Sequence, residues 1–550
     1  MRNTHLAILF YLLLFGLLLG CTLNFNYVEG DDAATILYHL CGRNPYIQPP
    51  YAAYHSGMDW LLEMSGLQQE TSLRVFAVSV SFASGFLVLA FLVLLLESLF
   101  SGDSIVTARN RLYFYLLLPL LLPDLLFHSL IINASNIAFA LLLASLLVFV
   151  RFLKRGQYFY LVGSMVLFGL SVPFRWTMLM ALPLYAGLFL YFHPFGHYGK
   201  RTWWLAVKIA IANSIGVVLA LVCIGISGYD LAEIRQTITS GTGYLEKSEV
   251  SALAMLASAS AFLTPALLLL LLFALVKLRA LKVAGQSISM AVLGLLLLSV
   301  SPFLWFGFYP MYKYSMTVLP ALLVLLLLGF DWLMRHRILR PVLLAAVVLP
   351  WLVGIEIEAK GTFCGPGFEM HTNRVGQKYD TATRKNPDNR IKIESISPVF
   401  GAGFYMPMAE GPRPLYGYGY VLLGGQWKKQ IDLFTQEREQ MFAFLEQHPK
   451  ARYFQEGKFY FLCDLYRHGY STKTSVQRSF NGGFYLYNKG KKGLIINEFP
   501  TGDKLQRVVE SIKEWPFPVV IRSSYSNDIM QLAQMADVTL IGPFTAISNK

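Results

Sequence analysis

Residues 6–32 read LAILFYLLLFGLLLGCTLNFNYVEGDD. An apolar run from Leu6 to Leu23 gives way almost at once to Glu29, Asp31 and Asp32. At 1.5 Å per residue such a run is about long enough to cross the hydrocarbon core of a bilayer. Carboxylates at the exit of a membrane helix are costly in lipid, so they face water or a working cavity. An acidic pair at that depth could hold a hydroxyl, a phosphate-bound cation or a proton.

The rest of the chain repeats the first run. Of 550 residues, 55% are hydrophobic and only 14% charged, and the mean hydropathy is +0.48, which places the chain among polytopic membrane proteins. About eleven spans satisfy the apolar-run criterion, at roughly 6–23, 75–96, 112–131, 136–153, 158–172, 177–192, 203–226, 253–276, 287–306, 314–333 and 341–355. With the N-terminus in the cytoplasm, alternate short loops are basic: Arg109 and Arg111; Arg151, Lys154 and Arg155; Lys200 and Arg201; Lys277, Arg279 and Lys282; Arg335, Arg337 and Arg340. This positive-inside pattern predicts an inner-membrane protein whose acidic tripod, and everything beyond about residue 356, lie outside the cytoplasm. The net charge of +13 is then partly topogenic and is poor evidence for a nucleic-acid partner.

The segment Leu18-Leu19-Gly20-Cys21 echoes a lipoprotein signal, but Leu19 is bulky for that site and a retained first helix accounts for the same composition. The five cysteines, at 21, 41, 223, 364 and 463, show no metal spacing. Cys364 and Cys463 fall in the outer region, where a disulfide is permitted.

The expected fold is mainly α: a transmembrane helical bundle over 1–355, followed by a soluble extracytoplasmic α/β domain over 356–550. Residues 24–74 form a long first outer loop, with short helices at about 31–42 and 56–65 around a Pro/Tyr-rich stretch, Asn44 to Tyr51. In the tail, 493–497, 518–522 and 538–541 read as strands and 503–514 and 527–536 as helices, a βαβαβ rhythm.

A helix opening at Asp31 would carry Asp32, Ile36, His39 and Arg43 on one face, so a carboxylate, an imidazole and a guanidinium would line one groove. A general base needs a carboxylate near a hydroxyl, and a phosphate leaving group needs cations. Acidic residues also cap helices and favour their positive ends, so the pair alone does not decide between the two. Basic residues outside the cytoplasm run against the topogenic bias and ask for another reason. Arg74, at the start of span two, is explained by snorkelling of its long side chain. Arg175, in the tight turn Ser171 to Trp176, and Lys313, before span ten, read as functional.

In this order the motifs resemble those of the GT-C glycosyltransferases, and within them the lipid A aminoarabinose transferase and protein O-mannosyltransferase group. That group opens with a helix, an acidic pair, a short helix ending in Gly, a Pro/Tyr stretch and an Arg at span two. Here these are Asp31-Asp32, Gly42, Tyr46 through Tyr51, and Arg74. Val172-Pro173-Phe174-Arg175 with Leu182-Pro183, and Tyr312-Lys313-Tyr314 with Leu319-Pro320, resemble its two later basic segments. The resemblance covers about residues 1–355. Two features depart from it: Asn133-Ala134-Ser135-Asn136 stands where members often carry Thr-Asp before span four, and Asp31 to Gly42 is about one turn short.

The resemblance implies transfer of a sugar from a polyprenyl-phosphate donor to a lipid, glycan or protein acceptor by inverting displacement. Asp31 or Asp32 would deprotonate the acceptor, and Arg43, Arg175 and Lys313 would hold the donor phosphate. His39, Tyr46 and His55 are candidates for the substrate groove. The pattern admits a divalent metal without requiring one, and the missing second acid removes a usual bridge for it. Two other classes compete. A lipid or glycan transporter or flippase would show internal repeats and mid-span charges; no repeat is evident, and mid-span charges are few. A membrane-anchored glycan-binding protein would work through its tail, where the run Tyr416 to Tyr420 could stack on sugar rings.

Overall fold

The computed structural model describes residues 2–22, 56–68, 70–100, 105–130, 134–193, 200–226, 264–283, 288–306 and 316–352, with short strands and single helical positions beyond residue 357. Apolar runs in lipid must satisfy their own backbone, so they form helices. The described bundle comprises α1 (Arg2–Thr22), α2 (Ser56–Met64), α3 (Glu70–Phe100), α4 (Ala108–Leu121), α5 (Pro123–Leu130), α6 (Ala134–Arg155) and α7 (Tyr158–Ser171). It continues with α8 (Leu182–Phe192), α9 (Lys200–Ile226), α10 (Pro265–Val283), α11 (Ile288–Phe306), α12 (Leu319–Arg335) and α13 (Leu339–Leu352). Four described segments are long and apolar enough to cross a membrane, Val75–Phe100, Ala134–Arg155, Trp203–Ile226 and Met316–Arg335, and five shorter apolar helices accompany them. The chain is a multi-pass membrane protein.

The described helices follow the expected spans, with two corrections. The third span is not continuous: α4 and α5 meet at Leu122, whose φ of -121° and ψ of 63° leave the helical region. Its successor is Pro123, and the residue before a proline is pushed out of the α region. The sixth and tenth spans each contain a 3-10 helix, Trp176–Ala181 and Met316–Val318, before a Leu-Pro pair starts the α-helix proper. In the eighth span a helix starts at Pro265, with Thr264 Oγ1 accepting from the Leu267 amide at 3.3 Å, as a threonine cap followed by proline favours; the first part of the expected span, 253–263, lies outside the described residues. The short outer-loop helix expected at about 56–65 is α2. Its partner expected at 31–42 lies outside the described residues.

The centre of the bundle is α12. Every residue from Leu319 to Asp331 is buried, and α12 packs on α3, α4, α10, α11 and α13. Without a hydrophobic drive between helices in lipid, close approach of small residues and buried hydrogen bonds set the packing. A Cβ at Gly329 would sit 2.0 Å from the Leu270 carbonyl oxygen, so α10 and α12 touch backbone to backbone there. Ser145 Oγ donates to the Ser164 carbonyl at 2.6 Å and meets the Tyr185 hydroxyl at 2.6 Å, tying α6, α7 and α8 with one side chain.

Loops assigned to the cytoplasm by their basic residues gather at one end. Buried Asp331 accepts from Asn110 Nδ2 at 2.9 Å and the Thr107 amide at 3.3 Å, and pairs with Arg335 at 2.8 Å and Lys277 at 3.4 Å. Glu97 pairs with Arg111 at 3.3 Å, and Lys154 donates to the Ser98 carbonyl.

Beyond residue 357 the described residues form strands. β1 (Glu358–Lys360) and β2 (Arg390–Lys392) pair antiparallel, as do β4 (Tyr470–Thr472) and β5 (Leu486–Asn488). A five-stranded mixed sheet has the order β6-β3-β7-β9-β8, from β3 (Arg452–Gln455), β6 (Ile495–Ile496), β7 (Val519–Arg522), β8 (Asp537–Ile541) and β9 (Phe544–Ser548). Three of these are the strands expected in the tail. The expected helices between them lie outside the described residues, as do Cys364, Cys463 and Tyr416 to Tyr420. β3 and β9 were not foreseen. β9 runs antiparallel between β7 and β8 and breaks the expected succession.

Asp331→Ala should cost about 3 kcal/mol or more, because it strands a buried lysine. Arg335→Ala, whose partner-facing guanidinium is 46% exposed, should cost about 1 kcal/mol or less. Thermal unfolding of the detergent-purified variants reads the difference; equal losses would show that the buried pair does not fasten this end.

Candidate functional site

At the opposite end of the bundle the chain leaves regular helix where α7 gives way to Val172-Pro173-Phe174-Arg175. Two amides hold this turn to the preceding helix and the following 3-10 helix: Arg175 N donates to the Ser171 carbonyl at 3.2 Å, and Met178 N to the Arg175 carbonyl at 3.0 Å. Arg175 itself is extended, at φ -159° and ψ 111°. That conformation turns the side chain inward, and only 8% of the residue is exposed. Its Nη1 donates to Ser135 Oγ at 2.6 Å. Ser135 lies in the first turn of α6, in the segment that departs from the family's Thr-Asp. The contact orients the guanidinium. Beside it, Asn136 Nδ2 donates to Ser129 Oγ at 3.1 Å and joins α6 to α5.

Two other segments converge on this turn. Helix α2, from the first outer loop, docks through the Gly57 amide, which donates to the Pro173 carbonyl at 3.0 Å. A Cβ at Gly57 would lie 2.8 Å from the Phe174 ring, so glycine is required for this approach. α2 buries Met58 and Leu62, one turn apart, and exposes Trp60 and Met64, as a helix lying on the bundle surface should. The 3-10 helix Trp176–Ala181 also touches the second 3-10 helix, Met316–Val318. The two Leu-Pro helix starts are therefore built alike, each preceded by a 3-10 turn, and the two turns meet.

Sequence reasoning missed two hydroxyls at that meeting point. Thr177 and Thr317, each 1% exposed, stand one in each 3-10 helix, and among the described residues neither Oγ1 has a hydrogen-bond partner. A buried hydroxyl left unsatisfied costs about 1–3 kcal/mol, so a polar group arriving there would be stabilised. The available signal was their position, two residues after Arg175 and two before Leu319-Pro320.

Of the residues expected to act, Arg175 is described, at the centre of this junction. Asp31, Asp32, Arg43, Lys313, His39, Tyr46 and His55 lie outside the described residues. The described chain resumes one residue after His55 and three after Lys313, and both resumptions are at the Arg175 turn. Among the described residues no three His, Cys, Asp or Glu side chains come together. A buried guanidinium held by a serine hydroxyl suits an anion better than a divalent cation, which seeks several anionic oxygens. His193, at the end of α8, is held below the usual imidazole range by burial and stays neutral at pH 7.

No family profile and no curated protein match this sequence. Solved structures do match its shape. ArnT from Cupriavidus metallidurans, in the apo state, superposes over 100% of this chain and 98% of its own, at TM-score 0.51 and 13% identity. The fold is GT-C-like. An oligosaccharyltransferase from Archaeoglobus fulgidus, crystallised with zinc and sulfate, matches over 70% of this chain at TM-score 0.41 and 14% identity; this chain spans 58% of its length. At these identities the likeness to ArnT speaks for the architecture, and function has to be argued from the residues.

Gly57→Ala should loosen α2 from the turn, since its methyl group meets the Phe174 ring. Overpacking of this kind costs about 1–3 kcal/mol. Faster proteolysis within 50–70, relieved by adding Phe174→Leu, would bear this out. Unchanged cleavage would show that α2 docks by other contacts.

Proposed function

We propose that this protein is an integral-membrane glycosyltransferase that moves a sugar from a polyprenyl-phosphate donor to an extracytoplasmic lipid, glycan or protein acceptor. The observation that carries the reading is the junction at Arg175, where a buried guanidinium, the outer-loop helix α2 and the meeting of two 3-10 turns, each with a buried unpartnered threonine among the described residues, come together. The GT-C-like fold supports it, as does the order of the sequence motifs.

In this scheme the acceptor hydroxyl or amine gives its proton to Asp31 or Asp32 and attacks the anomeric carbon. The bond from that carbon to the phosphate oxygen breaks, and the lipid phosphate leaves carrying the electron pair. Attack and departure on opposite faces invert the anomeric centre. Arg175 stabilises the charge that grows on the leaving phosphate, with Lys313 and Arg43 as further cations. Ser135 fixes the guanidinium so that it need not reorganise during the reaction. Low polarity around the buried guanidinium strengthens its hold on an anion. The positive-inside pattern places this junction on the extracytoplasmic side, where a polyprenyl-phosphate headgroup and an outer-leaflet acceptor can meet.

A membrane transfer assay with a polyprenyl-phosphate sugar tests these roles. Asp31→Asn or Asp32→Asn should lower kcat by about 100-fold or more at normal expression. Arg175→Met should lower kcat/KM by about 10- to 100-fold, as loss of a charge-assisted contact predicts. Full activity in both Asn variants would remove the base, and unaltered donor use by Arg175→Met would remove the phosphate site.

A further inference from the structure

Between Asp124 and Asp230 the sequence holds no aspartate or glutamate, yet it carries Arg151, Lys154, Arg155, Arg175, Lys200, Arg201 and Lys208. Helices α6, α7, α8 and α9 are thus built without a single carboxylate to balance their cations. At the basic end of the bundle, opposite the Arg175 junction, this imbalance becomes a surface. Lys208 is exposed on the flank of α9, two turns from its start. Its Nζ donates to the Tyr158 hydroxyl at 2.6 Å and stands 4.7 Å from that ring's centroid. Arg155, at the end of α6, donates to the Tyr160 hydroxyl at 3.0 Å and lies over its ring at 6.0 Å. Among the described residues no carboxylate reaches either cation.

Both partners are neutral tyrosines, which orient a cation without neutralising it. The site is held in place by the crossing of α7 and α9, where a Cβ at Gly169 would come within 3.0 Å of the Gly216 carbonyl oxygen. Around it, Phe159, Trp203 and Trp204 are 63%, 69% and 63% exposed. Exposed aromatics flanking basic side chains mark the level of the lipid headgroups. Lys208 stands about 12 Å along α9 from its first residue, so it lies on the bilayer side of Lys200 and Arg201. A lone lysine at that depth, facing lipid, needs an anion that the protein does not supply.

We propose that the basic ends of α7 and α9 form a binding site for an anionic phospholipid of the surrounding leaflet, with Lys208 as the phosphate contact. Tyr158 holds the ammonium in place, and the aromatic rim receives the glycerol and upper acyl chains. Basic pockets between membrane helices hold anionic headgroups in this way.

The test is a titration of the full chain with phosphatidylglycerol or phosphatidylcholine in detergent, read by native mass spectrometry. The wild type should retain phosphatidylglycerol preferentially. Lys208→Met should weaken that retention about fivefold, at about 1 kcal/mol per cation near an anionic lipid. Lys208→Arg should keep it. Arg279→Gln removes the same charge from the exposed end of α10 and should change it by less than about twofold. Equal retention of the two lipids by the wild type overturns the site, whether or not the variants fold. So does an equal loss in Arg279→Gln, which would reduce the effect to net charge.

Discussion

A peptide group in the hydrocarbon core has no water to turn to, and this constraint explains where the chain is allowed to be irregular. Helix α4 breaks at Leu122, and 3-10 turns precede α8 and α12; at each place the neighbouring side chains are buried in protein. Backbone that leaves the α-helix at membrane depth must be covered by other helices or line a cavity. The fold concentrates two such departures in one place, where Trp176–Ala181 meets Met316–Val318. The irregular backbone that lipid forbids elsewhere is gathered there around a guanidinium.

Helix α12 connects that place to the other end of the molecule. Its 17 residues span about 25 Å, with the 3-10 turn before its first residue and Asp331 near its last. The ion pairs of Asp331 fix how far α12 can slide along α4 and α10, and Gly329 removes the side chain that would hold it away from Leu270. Position at the functional end is thus set partly by charge at the basic end. A similar division appears between α7 and α9, whose glycine crossing brings Tyr158 and Lys208 together.

Much of this was legible in the sequence because bilayer physics is severe. Each span had to be apolar and long, and the sidedness of Arg109 through Arg340 followed from their spacing. Arg175 was singled out because it stood on the wrong side of that pattern. Finer features escaped for physical reasons. Trp176–Ala181 is apolar like its neighbours, so nothing local distinguishes a 3-10 turn from an α-helix. Ser135 stood out only as part of the segment Asn133 to Asn136 that lacks an acid; its contact depends on a partner 40 residues away. Thr177 and Thr317 matter through a contact that no local pattern encodes. In the tail, strand positions were readable from alternation, whereas the insertion of β9 between β7 and β8 was not, because sheet order depends on long-range pairing.

The ion pairs of Asp331 also bear on how the molecule is assembled. Lys277 enters the bilayer on α10 well before Asp331 is synthesised on α12, and Asn110 precedes it by 221 residues. A lysine or aspartate costs about 2.5–3.5 kcal/mol at the centre of a membrane helix and less toward its end. Asp331 has Arg335 on its own helix, but Lys277 does not meet Asp331 until α12 is in place. α10 is thus a poor tenant of the bilayer alone and a stable one only beside α12. A nascent chain halted between them would expose Lys277 to lipid or to membrane quality control, so the late helices must arrive together for the bundle to close.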